Sequence, residues 1–91
     1  MHWGSIVISS RAIIGCNARI HSCVNIGADK SGAPVIGDNV YIGPGAKIFG
    51  NISIGNNVKI GANAVVNKSF PSDVSIAGVP AKIIRQHDNK N

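Results

Sequence analysis

Three histidines are the residues of this chain best suited to acid–base chemistry: His2, His21 and His87. Histidine is the usual general base in proteins because its pKa lies near neutrality, so an imidazole can both take and return a proton. The two cysteines, Cys16 and Cys23, have neither the spacing of a metal motif nor the density of a disulfide framework. We interpret them as reduced thiols, which leaves the histidines as the candidates for chemistry.

A six-residue repeat indicates the kind of fold that must position these side chains. A period of six fits neither a helix face nor an alternating strand. It is the hexapeptide signature of a parallel β-helix, in which each coil is stabilised by its neighbours, and the predicted fold class is therefore all-β. The recurring residues are Ile8, Ile14, Ile20 and Ile26, followed by Ile36, Ile42, Ile48, Ile54, Ile60 and Val66.

An insertion separates the two runs of the repeat. The step from Ile26 to Ile36 is ten residues, and segment 28–35 has the charge, glycine and proline of an exposed corner loop. After Val66 the pattern ends, and residues 75–85 read as a short extended segment that could include a helical turn. We predict one domain over residues 1–85 and a polar tail over 86–91. With three repeats per coil there are about three coils, with inward columns Ile8/Ile26/Ile48/Val66, Ile14/Ile36/Ile54 and Ile20/Ile42/Ile60.

Composition limits the classes of partner. The chain of 91 residues carries a formal charge of +5, but its basic residues are scattered and only four residues are aromatic. A nucleic-acid platform or groove-reading helix is therefore not predicted, and a phosphorylated small ligand suits the charge better. No signal peptide or membrane-spanning run is visible, which predicts no membrane association and a cytoplasmic location.

Four segments of the chain together resemble the C-terminal domain of serine O-acetyltransferases, and also relatives from polysaccharide gene clusters. The resemblance covers about residues 1 to 85. It implies a left-handed parallel β-helix with a short C-terminal tail, a homotrimer with active sites between subunits, and acetyl-CoA as co-substrate without a metal. The segments are His2–Ile8, Ile36–Ile52 (with Gly-Pro-Gly-Ala-Lys-Ile-Phe-Gly-Asn-Ile), Ile60–Val66 and Ala77–Ile84 (Ala-Gly-Val-Pro-Ala-Lys-Ile-Ile).

The resemblance also implies site residues. The family's catalytic histidine matches His2, which would take the proton of the acceptor hydroxyl. His21 is a second candidate base at an outward position; otherwise it is a solvated or interface histidine. For coenzyme A, the resemblance implies that Gly27 and Ala28 lie near the thioester. Pro44 and Ala62 match small residues of the pantetheine groove, with Lys59 beside them. Lys82 and Arg85 are the implied contacts of the phosphates.

Two departures from the family's pattern leave the function open. The carboxylate that orients the family's histidine lies upstream, but only Met1 precedes His2. The family's Asp-Arg-His-Pro stretch, which helps to hold serine, is reduced here to Lys30–Pro34 without arginine or histidine. The implied acceptor is thus a hydroxyl of L-serine or of a sugar, and we expect the chain to be a truncated piece of a longer enzyme.

Two alternatives remain at this point. One is a noncatalytic or inactive trimeric β-helix fragment that lacks the upstream domain. The other is a zinc enzyme of the carbonic-anhydrase type, which needs three histidines that meet at a subunit interface. The histidines of this chain have no paired ligand spacing, and His87 follows the repeats, so the zinc enzyme is disfavoured.

Overall fold

The computed structural model describes residues 6–87, so His2 lies outside the described residues. Residues 6–87 form twelve strands and contain no helix with the length and apolarity needed to cross a membrane. The strands are β1 (Val7–Ile8), β2 (Ile13–Ile14), β3 (Arg19–Ile20), β4 (Asn25–Gly27), β5 (Val35–Ile36), β6 (Tyr41–Ile42), β7 (Lys47–Phe49), β8 (Ser53–Ile54), β9 (Lys59–Ile60), β10 (Val65–Val66), β11 (Val74–Ala77) and β12 (Lys82–Gln86).

These strands stack into three faces of a solenoid. Face A contains β1, β4, β7 and β10; face B contains β2, β5 and β8; face C contains β3, β6, β9, β11 and β12. Successive coils pair in parallel and in register, so Ile26 lies opposite Ile8 on one side and Ile48 on the other. The fold is a left-handed parallel β-helix, which confirms the fold class predicted from the repeat and the resemblance.

Each face sends one column of aliphatic side chains into the interior. Ile26, Ile42, Ile48 and Ile60 have no exposed surface, and the buried residues of the described chain are all apolar. The columns predicted from the six-residue period are therefore the core. The first coil is more open, because Ile8 is 40% exposed and Ile14 and Ile20 are only half-buried.

A fourth coil follows the three that the repeat predicts. Phe70 forms a parallel bridge with Ile54, and Ile76 of β11 lies opposite Ile60 of β9. Both new side chains are buried in the predicted columns. The six-residue pattern does not predict this coil, because the inward residue after Val66 follows at a spacing of four residues. That inward position is occupied by Phe70 and not by isoleucine or valine.

The expected helical turn in residues 75–85 is wrong. β12 instead folds back and pairs antiparallel with β11, placing Ser75 opposite Arg85 and Ala77 opposite Lys82. The turn of this hairpin is bonded to β10: the Val65 amide donates to the carbonyl oxygen of Gly78 at 3.0 Å, and the amide of the buried Ala81 donates to the carbonyl oxygen of Val65 at 2.8 Å. The division into a domain over 1–85 and a tail over 86–91 stays a prediction, and β12 runs to Gln86.

The corner between faces B and C depends on close backbone approach. Asn17, Asn39 and Asn57 stack there with φ of 60°, 58° and 58°, a left-handed conformation that asparagine tolerates better than most residues. In the same corner a Cβ on Gly37 would lie 2.8 Å from the backbone C and O of Gly55. Only glycine lets consecutive coils hydrogen-bond at this spacing.

We predict that Gly37→Ala lowers the free energy of unfolding by about 1–3 kcal/mol, because the added methyl group pushes coils two and three apart. Urea denaturation measures the change. Gly27→Ala is the matched control, since its Cβ would have its nearest neighbours at 3.7 and 3.9 Å. A similar loss in both variants would contradict the close-approach explanation.

Candidate functional site

An open groove of about 950 Å³ runs along the outer surface of face C, parallel to the solenoid axis. Its floor is made by outward residues of β3, β6 and β9, and its side by the asparagine corner between faces B and C. His87, from the segment after β12, contributes at its C-terminal end. The lining residues are Asn17, Ala18, Arg19, Asn39, Val40, Tyr41, Asn57, Lys59 and His87.

The charge of this groove comes from one file of outward residues. Arg19, Tyr41, Lys59, Ser75 and Arg85 occupy equivalent positions on adjacent strands of face C. Neighbouring strands are about 4.8 Å apart, so the three cations of the file recur at intervals of roughly 10 Å. No carboxylate is found among the groove-lining residues of the described chain. The groove is therefore suited to an elongated anionic ligand.

The C-terminal end of the groove opens into a smaller pocket of about 350 Å³, lined by Lys59, Ser75, Arg85 and His87. We call it the face C pocket. The Oγ of Ser75 and the Nε2 of His87 are 2.7 Å apart, within hydrogen-bond distance. The His87 amide also donates to the carbonyl oxygen of Asp73 at 2.7 Å, which fixes the backbone beside the pocket.

The six-residue repeat assigns no role to His87, because it does not predict the antiparallel hairpin of β11 and β12. Without β12 folded back on β11, His87 belongs to a polar tail remote from the repeats. The signal that could have indicated the hairpin is the alternation of Val74 and Ile76 before Gly78 and Pro80, followed by the aliphatic pair at 83–84.

The corner between faces C and A holds three of the predicted coenzyme A residues. Pro44 and Ala62 lie in successive coils; both are exposed, and the carbonyl oxygen of Pro44 accepts a bond of 2.9 Å from the Asn63 amide. Lys82 is opposite Ala77, the last residue of β11 before the same corner. Pro44 and Ala62 are therefore accessible from outside at this corner.

His21 stands at the same corner in the first coil. Its side chain is exposed, which confirms the outward position predicted for it, and its ring packs edge-on against Tyr41 with centroids 5.0 Å apart. At this corner it contacts Tyr41, which lines the groove. His2 cannot be placed relative to it, since His2 is outside the described residues.

Gly27 and Ala28 lie elsewhere on the molecule. Gly27 ends β4 on face A, where its carbonyl oxygen accepts from the Gly50 amide at 3.1 Å, and Ala28 begins the next corner. A single chain thus brings Lys59 and Arg85 together on face C, and Pro44, Ala62 and Lys82 at the adjoining corner. It leaves the predicted thioester pair at the corner between faces A and B.

The insertion folds into a compact turn over residues 29–32. One carboxylate oxygen of Asp29 accepts bonds from the hydroxyl and the amide of Ser31 at 2.6 and 2.8 Å. These two hydrogen bonds lower the pKa of Asp29 below its ordinary value, and the bond from the Ser31 hydroxyl has the larger effect. Slight burial of the carboxylate raises the pKa, while the Gly32 amide and the charge of Arg11 lower it further. The turn is shorter than segment 28–35, because Pro34 is buried and Val35, although exposed, is already the first residue of β5.

We predict that Ser31→Ala raises the pKa of Asp29 toward its ordinary value, because the strongest hydrogen bond to the carboxylate is removed. A carboxyl-detected NMR titration measures it. Since the pKa is lowered in the fold, the bonds stabilise the turn above the ordinary carboxyl range and are lost as pH falls through the lowered pKa. Ser53→Ala on face B should leave the titration unchanged; an unchanged pKa in Ser31→Ala would refute the assigned cause.

No group of three or more metal-ligating side chains occurs within residues 6–87. Cys16 and Cys23 are exposed free thiols. The described part of the chain thus presents a groove, a cationic file and the adjoining corner of Pro44 and Ala62 as its candidate site.

Comparison with known proteins gives a consistent result. The family model "Bacterial transferase hexapeptide (six repeats)" matches residues 33–68. A serine acetyltransferase of Buchnera aphidicola subsp. Schizaphis graminum is 43% identical over an alignment 95 residues long, which covers 99% of this chain and 36% of that protein. One of Staphylococcus aureus strain Mu50 is 43% identical over 89 residues, or 93% of this chain and 42% of that protein.

Solved structures agree with the sequence relatives. The serine acetyltransferase of Neisseria gonorrhoeae superposes with a TM-score of 0.87 at 38% identity, covering 93% of this chain and 34% of that one. A serine acetyltransferase in complex with CoA gives a TM-score of 0.82 at 40% identity, covering 87% and 33%. The chain therefore spans between a third and somewhat over two fifths of the length of these relatives.

Proposed function

This chain belongs to the serine O-acetyltransferase family of hexapeptide-repeat proteins, and from that premise we propose that it moves an acetyl group from acetyl-CoA to the hydroxyl of a small acceptor. The observation that carries the proposal is identity of 43% over 99% of the chain to a serine acetyltransferase. L-Serine is the first acceptor, since a related structure is described in complex with serine. A sugar hydroxyl is the second, because the turn at residues 29–32 is short and lacks arginine and histidine.

The chemistry requires a base, an acyl carrier and a place for both. In the proposed reaction His2 takes the hydroxyl proton of the acceptor, the oxygen attacks the thioester carbonyl, and coenzyme A leaves as the thiol after protonation. The role of His2 rests on the resemblance. Its orienting carboxylate would come from a segment upstream in a longer chain, or from a neighbouring chain.

Coenzyme A would lie with its pantetheine arm along the corner of Pro44 and Ala62. Its phosphates would lie toward the basic residues Lys59, Lys82 and Arg85. The structure supports this because the small exposed corner and the cationic face adjoin each other. Charge-assisted bonds from lysine and arginine are the usual means of holding phosphate.

A homotrimer completes the proposal. Gly27 and Ala28 lie at a different corner from Pro44 and Ala62, so one subunit can supply the thioester pair and its neighbour the pantetheine groove. Exposed apolar side chains outside the groove support subunit contact: Ile13 is 61% exposed, Val35 42% and Phe49 39%. A cytoplasmic location is also proposed, because Cys16 and Cys23 are free thiols.

We predict release of free thiol from acetyl-CoA in the presence of L-serine or one of a panel of sugars, measured with a thiol reagent. His2→Ala should lower the rate by at least about a hundredfold, since general-base catalysis commonly contributes that much. Turnover no faster than that of His2→Ala with every acceptor would refute the enzymatic function and favour an inactive β-helix fragment.

Lys59→Ala tests the placement of coenzyme A separately. Loss of one charge-assisted phosphate contact should raise the KM for acetyl-CoA about tenfold with little effect on kcat. Lys47→Ala is the matched control, because Lys47 is also an exposed outward lysine on a strand but lies on face A. Equal KM values for the two variants would remove Lys59 from the site.

A further inference from the structure

We infer that the N-terminal half of the face C groove binds the acceptor, and that the acceptor suited to it is a sugar carrying one anionic group, such as a hexuronate. This half is formed by Arg19 and Tyr41 together with Asn17 and Asn39, and it shares no residue with the face C pocket. The inference rests on the proposed function and chooses between its two acceptors. It assigns the part of the groove that coenzyme A, as proposed, leaves open.

Arg19 supplies the cation that would hold the anionic group. It lies opposite Tyr41 on the adjacent strand, about 4.8 Å away, and Lys59 lies opposite Tyr41 on the other side. The Arg19 side chain is exposed to the groove that it lines. A guanidinium group can bind a carboxylate or a phosphate through two parallel hydrogen bonds, which fixes the orientation of the ligand as well as its charge.

Tyr41 offers a platform for the sugar ring beside that cation. Its side chain is half-buried, and its ring is braced by the edge contact with His21 at a centroid distance of 5.0 Å. The face of an aromatic ring carries partial negative charge, which attracts the C–H groups of a pyranose. Toward the corner between faces B and C, the exposed amides of Asn17 and Asn39 can both donate to and accept from hydroxyl groups.

The charge of the groove disfavours L-serine as its occupant. L-Serine carries an ammonium group as well as a carboxylate, and an ammonium group between Arg19 and Lys59 would be repelled by both. No carboxylate lines the groove in the described part of the chain. Asp38 precedes Asn39 but accepts a bond of 2.8 Å from the Cys16 amide, outside the groove lining. An anionic sugar has the negative charge and the hydroxyl groups without the ammonium group.

The proposed path of coenzyme A ends beside this half of the groove. With its phosphates toward the C-terminal end, the pantetheine arm runs along the corner from Ala62 to Pro44, toward the first coil. The next equivalent position is Ser22, because the carbonyl oxygens of Ser22 and Pro44 each accept an amide bond from the following coil, at 3.0 and 2.9 Å. His21 precedes Ser22 and contacts Tyr41. A thioester at the end of the arm would therefore meet a hydroxyl group of a sugar that lies on Tyr41.

Initial rates with acetyl-CoA and four acceptors test the inference: glucuronate, glucose 6-phosphate, glucose and L-serine. The natural chain should show a kcat/KM for one anionic sugar about tenfold above that for glucose, as expected for one charged hydrogen-bonded group. The better of glucuronate and glucose 6-phosphate identifies that group as a carboxylate or a phosphate.

Arg19→Ala should bring the ratio of anionic to neutral sugar toward one and leave the KM for acetyl-CoA unchanged. Tyr41→Leu should raise the KM for charged and neutral sugars alike, because the ring contact does not depend on the anionic group. Lys47→Ala on face A should retain every value of the natural chain. The thermal unfolding midpoint of each variant shows whether the fold is intact.

The inference is overturned, with the proposed function still standing, by any of three results. These are a higher kcat/KM for L-serine than for either anionic sugar, equal values for charged and neutral sugars, and a ratio that Arg19→Ala leaves unchanged. If no acceptor is acetylated, the proposed function fails, and binding of glucuronate and glucose 6-phosphate is followed by backbone amide shifts. Shifts at residues 17–19 and 39–41 that Arg19→Ala abolishes would support an anionic-sugar site, and their absence would refute it.

Discussion

Every part of this molecule depends on the in-register stacking of coils whose strands are only two to five residues long. Strands of that length have no independent stability, and their backbone groups are satisfied only when the next coil repeats the same positions. A six-residue period achieves this because it returns an aliphatic side chain to each face once per coil. Each such side chain contributes about 1.5–3 kcal/mol when fully buried, and the three columns hold the coils at a fixed spacing.

The same constraint determines where function can lie. Inward positions must be aliphatic and corners must allow close backbone approach, so variation is left to outward residues and insertions. On face C the outward residues include Arg19, Lys59 and Arg85. The equivalent outward positions of the first two coils on face B are Ile13 and Val35. Regular stacking converts a choice at one position per coil into a continuous surface, cationic in one case and apolar in the other.

Much of the fold could be predicted because the repeat reports directly on burial. The inward columns of coils two and three are buried as expected from spacing alone. The fourth coil was missed because Phe70 follows Val66 after four residues, and β12 because no repeat marks an antiparallel return. The site was predicted less completely for the same reason: residues such as His87 and Ser75 meet through the hairpin and not through the period.

The separation of the predicted contacts over two corners and one face has a physical basis as well. A resemblance assigns residues to a ligand without saying which subunit supplies them. The structure shows that Lys59 and Pro44 lie on adjoining surfaces of one chain. Gly27 is the last residue of β4 on face A, next to the corner between faces A and B. In the proposed homotrimer, one subunit would supply Lys59 and Pro44 and its neighbour would supply Gly27.

We propose that coenzyme A lies along face C and its adjoining corner. Mapping of backbone amide chemical shifts on addition of coenzyme A tests this most directly. Binding along face C should shift the amides of residues 41–46, 59–64 and 85–87, while the outward residues Ile13, Val35 and Ser53 of face B should show no direct contact. Shifts centred on face B, or none along face C, would contradict it.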